Sequence, residues 1–187
     1  MNIMRYFIPS AVAIATAAGL TSCLGGDDNS YDYAEWISEN ENYFIRMQDT
    51  IGADGNKVFE KITPVWAPSV SILAQWHNDR SLTAGNLVPM DNSTVDIIYE
   101  GKYYNGVTFD SSFSQTTYGD SIYRCKPTDM ISGFWAMLTN MHVGDSVTCV
   151  IPSSAGYGAS SSSLMPYSTL VFNIKLKSIY KYEMANK

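Results

Sequence analysis

Hydrophobic and polar residues alternate most clearly along residues 95–100. This period of two predicts a strand with one buried face, because successive side chains of a strand point to opposite sides. Asn105-Gly106 follows and predicts a chain reversal, since both residues tolerate positive φ. Residues 107–109 then begin a second strand, which ends at residues 110–112 because their short polar side chains bond to local backbone. The pattern predicts a hairpin whose far end presents an aromatic ring beside a carboxylate.

Similar periodicities predict the other elements. Residues 31–49 carry apolar side chains at helical spacing with glutamates on the other side, which predicts an amphipathic helix. Apolar residues at the same spacing over 130–141 predict a second helix, with Thr128 or Asp129 as its N-cap. Short strands are predicted at 58–63, 70–76, 121–125, 147–151 and 170–176, and the last shows the clearest alternation.

Two segments raise questions that periodicity does not answer. Gly133 lies inside the second predicted helix, where glycine costs about 1 kcal/mol relative to alanine. We therefore expect another part of the chain to approach the backbone closely there. Residues 77–90 form a polar connection that is long enough to be a mobile or functional loop, or a plain insertion.

The composition is that of a globular protein. Of the 187 residues, 45% are hydrophobic and 16% are charged. Thirteen tyrosines and four tryptophans are many for this length and suggest a core or groove lined by aromatic rings. The net charge of −6 argues against nucleic acid as a partner, because phosphate backbones bind basic surfaces.

The first 22 residues have the layout of a secretory signal. Arg5 precedes an apolar run at 6–20, and small residues precede a cysteine. The string Leu-Thr-Ser-Cys at 20–23 resembles the lipobox of bacterial lipoproteins, which implies that Cys23 is acylated and becomes the new N-terminus. The lipid would anchor the protein to the outer membrane, on its periplasmic or its surface face. An ordinary secretory signal with an incidental cysteine is the alternative.

The strings on the predicted elements occur in a characteristic order. They are Tyr99-Glu100-Gly101, Gly106-Val107-Thr108-Phe109-Asp110-Ser111-Ser112, Met130-Ile131-Ser132-Gly133-Phe134, Met141-His142-Val143-Gly144-Asp145, Ile151-Pro152, Tyr157-Gly158 and Pro166-Tyr167-Ser168-Thr169-Leu170-Val171-Phe172. Together they resemble FKBP-type peptidyl-prolyl cis-trans isomerases, from about Ser69 to Tyr180. The Phe-Asp-Ser-Ser and Thr-Leu-Val-Phe strings are specific in this order, whereas single matches would not be.

The resemblance implies an α+β fold, in which an antiparallel sheet of about five strands wraps around one short helix. The substrate groove would lie between helix and sheet. The chain then divides into a lipoprotein signal peptide (1–22), a flexible acidic tether (23–30), an N-terminal helical extension (31–68) and an FKBP-like domain (69–182). Asp27-Asp28 in the tether is similar to the surface-export signal of some Gram-negative lipoproteins, or is part of a plain solvated linker.

The resemblance also implies the residues of the groove. Those expected to carry catalysis are Tyr99, Phe109, Asp110 and Tyr157. Those expected to bind substrate are Met130, Ile131 through its backbone N–H, Phe134 as the floor, Leu164 and Phe172.

The chain departs from the family pattern at several positions. The floor is usually Trp and here is Phe134, which has no N–H. A basic residue usually follows Ser-Ser and pairs with the aspartate, but Gln115 or its neighbours stand there. The aromatic residue expected beyond that loop is either Tyr118 or Tyr123.

Such a groove would act without a nucleophile. Rotation about an X-Pro bond meets a barrier of about 20 kcal/mol because amide resonance must be lost. A dry aromatic pocket stabilises the planar, polar amide less than water does and can be shaped for the twisted amide. We therefore expect no cofactor and no metal, and the two histidines are too few for a histidine-based metal cluster. The expected partners are proline-containing polypeptides, bound by a monomer.

Three hypotheses follow for the function. The first is a lipid-anchored isomerase that helps secreted proteins to fold in the cell envelope. The second is a non-catalytic FKBP-like binding lipoprotein, which uses the groove or the 31–49 helix to hold a partner. The third is a structural lipoprotein whose groove is filled by its own residues 77–90. Cys125 and Cys149, on predicted strands, either form a disulfide or remain free as small apolar core residues.

Overall fold

A computed structural model of the protein describes residues 33–160 and 165–183. Its helices and strands are, in chain order, α1 (Ala34–Asp49), β1 (Glu60–Ile62), β2 (Ile72–Trp76), β3 (Thr94–Tyr103), β4 (Thr108–Ser111), β5 (Tyr123–Cys125), α2 (Ser132–Leu138), β6 (Ser146–Ile151) and β7 (Leu170–Lys181). Short 3-10 turns lie at Pro127–Asp129 and Ser153–Ala155.

The strands of the described residues form one antiparallel sheet in the order β1-β2-β6-β7-β3-β4, with β5 also paired to β3. The long strands β3 and β7 pair along their whole length, from Thr94 opposite Lys181 to Tyr103 opposite Leu170. The predicted antiparallel sheet around a short helix is thus confirmed. The sheet has seven strands rather than about five, because β1 extends one edge while β4 and β5 share the other.

The core lies between α2 and the concave face of the sheet. Inward-facing residues of β3 and β7 alternate with more exposed ones, as the period of two predicts. The fully buried side chains Phe134, Met137 and Leu138 of α2 pack against this face. Burying a large apolar side chain contributes about 1.5–3 kcal/mol, so this layer supplies much of the fold's stability.

Helix α2 begins later than the sequence predicts. Its N-cap is Ile131, and the predicted caps Thr128 and Asp129 lie in the preceding 3-10 turn. Between the two elements the backbone of Met130 is extended, with φ −98° and ψ 165°. The prediction of Thr128 or Asp129 as N-cap was therefore wrong, because the chain leaves helical geometry before α2 starts.

Gly133 confirms the predicted close approach. A Cβ at this position would collide with the side chain of Ile151 and would lie 3.2 Å from the carbonyl oxygen of Ala155. The missing side chain thus lets the first turn of α2 sit directly against the end of β6.

Helix α1 packs on the opposite face of the sheet, where Leu73 and Val150 are buried with Phe59. Its Phe44 and Met47 cover these residues, which explains its apolar stripe. Strand β1 also comes from the predicted N-terminal extension and joins the same sheet, while the domain boundary near 68 stays a prediction. In the part of the chain that the structure describes, no helix is both long enough and apolar enough to cross a membrane.

Asp145 ties the 77–90 segment to the turn before β6. The carboxylate is fully buried and accepts hydrogen bonds from Thr83 Oγ1 (2.5 Å), Asn78 Nδ2 (3.0 Å) and the backbone N–H of His142 (2.9 Å). Arg80 Nε lies 3.3 Å from the same carboxylate. These contacts attach the segment to the turn rather than to the groove, so they do not support the hypothesis that it fills the groove.

Candidate substrate groove

Four aromatic side chains from four different elements meet where α2 faces the sheet. Phe134 of α2 contacts Phe172 of β7 and Tyr99 of β3 edge-on, with ring centroids 5.0 and 6.0 Å apart. Phe109 of β4 is perpendicular to Phe172 at 5.6 Å. Edge-to-face pairs of this kind add about 0.5–1.5 kcal/mol beyond area burial. The structure therefore brings together four of the five aromatic residues that the resemblance implied, all except Tyr157, and we call these four rings the aromatic cluster.

Gly101 makes the aromatic cluster possible, a role that the sequence analysis missed. A Cβ at this position would lie 2.7 Å from Cε1 of Phe172 and 2.8 Å from Cζ of Phe109. The absent side chain therefore leaves the space in which these two rings meet. A glycine inside a strand pattern was the available signal, since it marks a bulge or a close approach; a register shift at Gly101/Lys102 accompanies it.

Asp110 is placed beside the aromatic cluster by the end of β4. Its Oδ2 accepts a hydrogen bond of 2.7 Å from the hydroxyl of Tyr99. Two residues on, the buried hydroxyl oxygen of Ser112 accepts a 3.0 Å hydrogen bond from the Tyr99 backbone N–H. The Asp-Ser-Ser string thus holds Tyr99 at both its backbone and its ring.

Tyr123 is the further aromatic residue of the groove. Its ring lies 5.5 Å from that of Tyr99, and it packs against the main core from β5. Tyr118 is instead exposed, and its ring centroid lies 4.5 Å from the guanidinium carbon of Arg124. The structure therefore resolves the choice that the sequence left open in favour of Tyr123.

Tyr157 follows the second 3-10 turn and is 43% exposed. Burial, then the charge of Asp110, raise the pKa of its hydroxyl. The pKa of Tyr99 is raised by burial first and next by its hydrogen bond to Asp110, and that of Tyr123 is raised mainly by burial. All three hydroxyls are therefore neutral at physiological pH, and the groove offers neutral donors near a single carboxylate.

The remaining predicted binding residues lie at the start of α2 or outside the described residues. Met130 and Ile131 are half-buried and pack against the core. Among the described residues, none accepts a hydrogen bond from the Ile131 backbone N–H. A carbonyl of a bound peptide could use this donor. Leu164 and Cys23 lie outside the described residues.

Two departures from the family pattern have structural correlates. Phe134 is fully buried and contributes only an apolar ring to the aromatic cluster, without the N–H that a Trp would bring. Asp110 forms no ion pair within residues 33–160 and 165–183, and Tyr99 is its hydrogen-bond partner. Among the described residues, the polar groups of the groove therefore include tyrosine hydroxyls, the Ile131 N–H and the carboxylate of Asp110.

The cysteines and other potential ligands contribute no further chemistry to the groove. Cys125 and Cys149 are buried free thiols, and burial raises the pKa of Cys125 to about 12 and raises that of Cys149 as well. Thiols of this kind stay protonated and unreactive. Over the described ranges, no three His, Cys, Asp or Glu side chains are placed to hold a metal ion.

The fold is that of an α+β protein in which an antiparallel sheet and one short helix enclose the aromatic cluster. A family model described as FKBP-type peptidyl-prolyl cis-trans isomerase matches residues 85–177, about half of the chain.

Two curated relatives match about half of the chain. The chain is 32% identical over 99 residues to the FKBP-type 22 kDa peptidyl-prolyl cis-trans isomerase of Escherichia coli K12, covering 49% of this chain and 44% of that protein. It is 34% identical over 92 residues to FK506-binding protein 4 of Dictyostelium discoideum, covering 48% of this chain and 24% of that protein. The chain therefore spans less than half the length of each.

Two crystal structures share the fold. One is a peptidyl-prolyl cis-trans isomerase from Pseudomonas syringae pv. tomato, with a TM-score of 0.62, 20% identity, and coverage of 80% of this chain and 96% of that one. The other is FkpA from Escherichia coli, also at 0.62, with 23% identity and coverage of 81% and 62%. At these identities the likeness concerns the fold alone.

Proposed function

We propose that this protein is a peptidyl-prolyl cis-trans isomerase that acts on X-Pro bonds in extended polypeptides. The observation that carries the proposal is the aromatic cluster with Asp110 hydrogen-bonded to Tyr99 at its edge. The family match over residues 85–177 supports it. A proline ring fits such an apolar site, and the neighbouring donors can orient the peptide.

The groove would lower the barrier by differential stabilisation. In water the planar amide is strongly hydrated, and part of that stabilisation is lost in an aromatic enclosure. The twisted amide is less polar and loses less, so the rotation becomes easier. The Ile131 N–H and the Tyr157 hydroxyl would bind carbonyl oxygens flanking the bond, which holds the backbone while the proline side turns.

Catalysis can be tested on a protein whose refolding is limited by prolyl isomerisation. The purified full chain should accelerate that phase, and Asp110→Asn should reduce kcat/KM by about 10-fold because it replaces a charged acceptor of the Tyr99 hydroxyl. Asp54→Asn, in an exposed loop far along the chain, is the matched control and should keep full activity. Absence of acceleration at micromolar concentration, with a folded circular dichroism spectrum, would overturn the proposal.

A second candidate function is a non-catalytic FKBP-like binding module. Phe134 in place of the usual Trp and the unpaired charge of Asp110 within the described residues favour it. A proline-containing tetrapeptide separates the two functions. Binding without exchange between its cis and trans NMR signals would establish the module, whereas catalysed exchange would exclude it.

We also propose that the protein is lipid-anchored through Cys23 at the outer membrane and serves secreted proteins. The Leu-Thr-Ser-Cys string at 20–23 supports this, because it resembles the lipobox of bacterial lipoproteins. Several acyl chains on Cys23 would hold the protein firmly at the membrane, whereas a single chain is a marginal anchor. In a bacterial host fed with labelled palmitate, the wild type should carry the label in the membrane fraction. The Cys23→Ser variant should lose both the palmitate label and its place in the membrane fraction. A labelled Cys23→Ser variant, or an unlabelled wild type, would contradict the anchor.

A further inference from the structure

Helix α1 lies outside the matched family segment yet contacts the chain that leads from the groove into β7. This segment, residues 165–169, follows the stretch that begins with Tyr157 and directly precedes Leu170, the first residue of β7. Polar and aromatic side chains of α1 and of its N-cap residue Tyr33 meet it at three points.

The tightest contact joins Asn40 to Thr169. Asn40 is 1% exposed, and its Oδ1 accepts a 2.6 Å hydrogen bond from the Thr169 backbone N–H. The Asn40 carbonyl oxygen accepts a second one from the Thr169 hydroxyl at 3.0 Å. The amide orientation is set by its Nδ2, which donates to the Trp36 carbonyl at 2.7 Å. A buried amide with its oxygen and one nitrogen hydrogen committed in this way has little freedom to reorient.

Two further contacts extend the attachment along the segment. Trp36 Nε1 donates to the carbonyl of Pro166 at 3.0 Å, and the ring of Tyr33 lies 6.0 Å from that of Tyr167. The attachment therefore spans residues 166–169 rather than one residue.

These contacts connect to both sides of the groove. The Tyr167 N–H donates to the carbonyl of Gly158 at 2.7 Å, directly after Tyr157. Tyr103, whose hydroxyl accepts from the Met165 N–H at 3.2 Å, packs its ring against Trp36 at 6.0 Å and against Phe109 at 5.0 Å. Helix α1 thus reaches Phe109 through Tyr103, and it reaches Tyr157 through Tyr167 and Gly158.

We propose that Asn40 and Trp36 are positioning residues, which hold Tyr157 and Phe109 in the binding-competent geometry. The inference rests on the proposed function and adds α1 to its machinery. If the attachment is loosened, a smaller fraction of molecules has the competent geometry, and the apparent affinity for peptide falls by that fraction. Once bound, the peptide meets the same aromatic cluster, so the effect falls on KM rather than on kcat.

Four variants of the full chain test the attachment against matched controls. Asn40→Ala should raise KM by about 5- to 10-fold, with kcat within 2-fold of wild type, because it orphans the Thr169 N–H. Trp36→Phe and Thr169→Val each remove one donor and should raise KM by about 3-fold. Thr169→Ser keeps the hydroxyl and should restore the wild-type KM.

Asn42→Ala is the control on α1 itself. Asn42 is the same residue type two positions along the helix, is exposed, and bonds only to Ser38 Oγ at 3.3 Å among the described hydrogen bonds. This variant should leave KM and kcat unchanged. A KM that rises equally in Asn42→Ala and Asn40→Ala would overturn the proposal.

Amide hydrogen exchange separates positioning from general destabilisation. In Asn40→Ala, the Tyr167 amide should exchange at least about 10-fold faster, while amides in the centre of β3 and β7 keep their wild-type rates, because local and global opening are distinct events. Faster exchange throughout β3 and β7, or an unchanged Tyr167 amide, would overturn the positioning role.

A titration with the proline-containing tetrapeptide distinguishes this proposal from the proposed function. If the wild type binds the peptide without isomerising it, the isomerase proposal fails, and the Kd of Asn40→Ala then replaces KM as the test of positioning. If the wild type neither binds nor isomerises the peptide, both proposals fail. An isomerase whose Asn40→Ala variant keeps the wild-type KM overturns the positioning role alone.

Discussion

Tyr99 makes three contacts that together organise the groove. Its ring packs edge-on against Phe134, its hydroxyl donates to Asp110, and its backbone N–H donates to Ser112 Oγ. A tyrosine suits this position because its body is apolar and its tip can reach a polar partner. Phenylalanine would fill the same space and would leave Asp110 without its donor.

Replacing Tyr99 by Phe isolates the hydroxyl. We expect kcat/KM for prolyl isomerisation to fall by about 5-fold and the free energy of unfolding to fall by about 1 kcal/mol, the usual net value of one hydrogen bond. The refolding assay and urea unfolding measure the two quantities. Tyr180→Phe, at an exposed ring on β7, should change neither. Full activity of Tyr99→Phe would show that the hydroxyl has no part in the groove.

The tyrosine hydroxyls also predict a pH profile. Because the pKa values of Tyr99, Tyr123 and Tyr157 are raised above the ordinary tyrosine value, each hydroxyl loses its proton at higher pH than a free tyrosine. Isomerase activity should therefore stay level from about pH 7 to pH 9.5, below the ordinary tyrosine pKa. The refolding assay with circular dichroism at each pH checks this. A decline centred well below pH 10 in a folded protein would contradict it.

Two glycines allow helices and strands to pack closely against their neighbours. Gly133 brings α2 against the end of β6, and Gly101 leaves room for the rings of Phe109 and Phe172. Both glycines lie inside regular elements, where a residue with a side chain would have better propensity. Packing between elements therefore outweighs local propensity at both positions.

Gly133→Ala tests this balance on α2. In an exposed helix the change would stabilise by about 1 kcal/mol. Here the new methyl group collides with Ile151, so we expect the free energy of unfolding to fall by about 2 kcal/mol, as overpacking usually costs. Gly85→Ala, where a Cβ would meet open space, is the control and should stay within about 0.5 kcal/mol. A Gly133→Ala protein as stable as wild type in urea would disprove the close approach.

For the molecule as a whole, Asp145 joins the long 77–90 connection to the sheet. Burial on its own raises the pKa of this carboxyl, but hydrogen bonds from Thr83, His142 and Asn78, together with the charge of Arg80, hold it below its usual value. A carboxylate with a lowered pKa stabilises the folded state at pH values above the ordinary carboxyl pKa. This contribution is lost as the pH falls through the lower folded-state pKa.

Asp145→Ala should therefore destabilise the protein at pH 7 by about 3 kcal/mol, the lower end for breaking a buried ion pair, since Arg80 is partly exposed. Urea unfolding at pH 7 and in steps below pH 4 measures the difference from wild type. That difference should shrink as the pH falls, because the wild type loses the contribution that the variant lacks. The exposed Asp120→Ala variant serves as the comparison. A difference that stays constant to pH 2 would show that the charge of Asp145 is not responsible.

Much of the fold could be predicted because its signals are local. The alternation along β3 and β7 predicted their buried faces, and Gly106, with φ +86°, turns the chain between β3 and β4 as expected. The aromatic cluster was also predicted, through residue strings that resemble a known family. The N-cap of α2 was missed because the extended backbone at Met130 separates the 3-10 turn from the helix.

Local sequence determined the strands, α1 and the aromatic residues of the groove. The signals were the periods of two and 3.6, the turn residues and the family strings, and each of these is a property of neighbouring residues. Only the tertiary structure decided that Tyr123 rather than Tyr118 faces Tyr99, that Gly101 makes room for two rings, and that Asn40 bonds to Thr169. The physical reason is distance along the chain. Asn40 and Thr169 are 129 positions apart, and no local pattern encodes a contact that exists only after the sheet has brought both ends together.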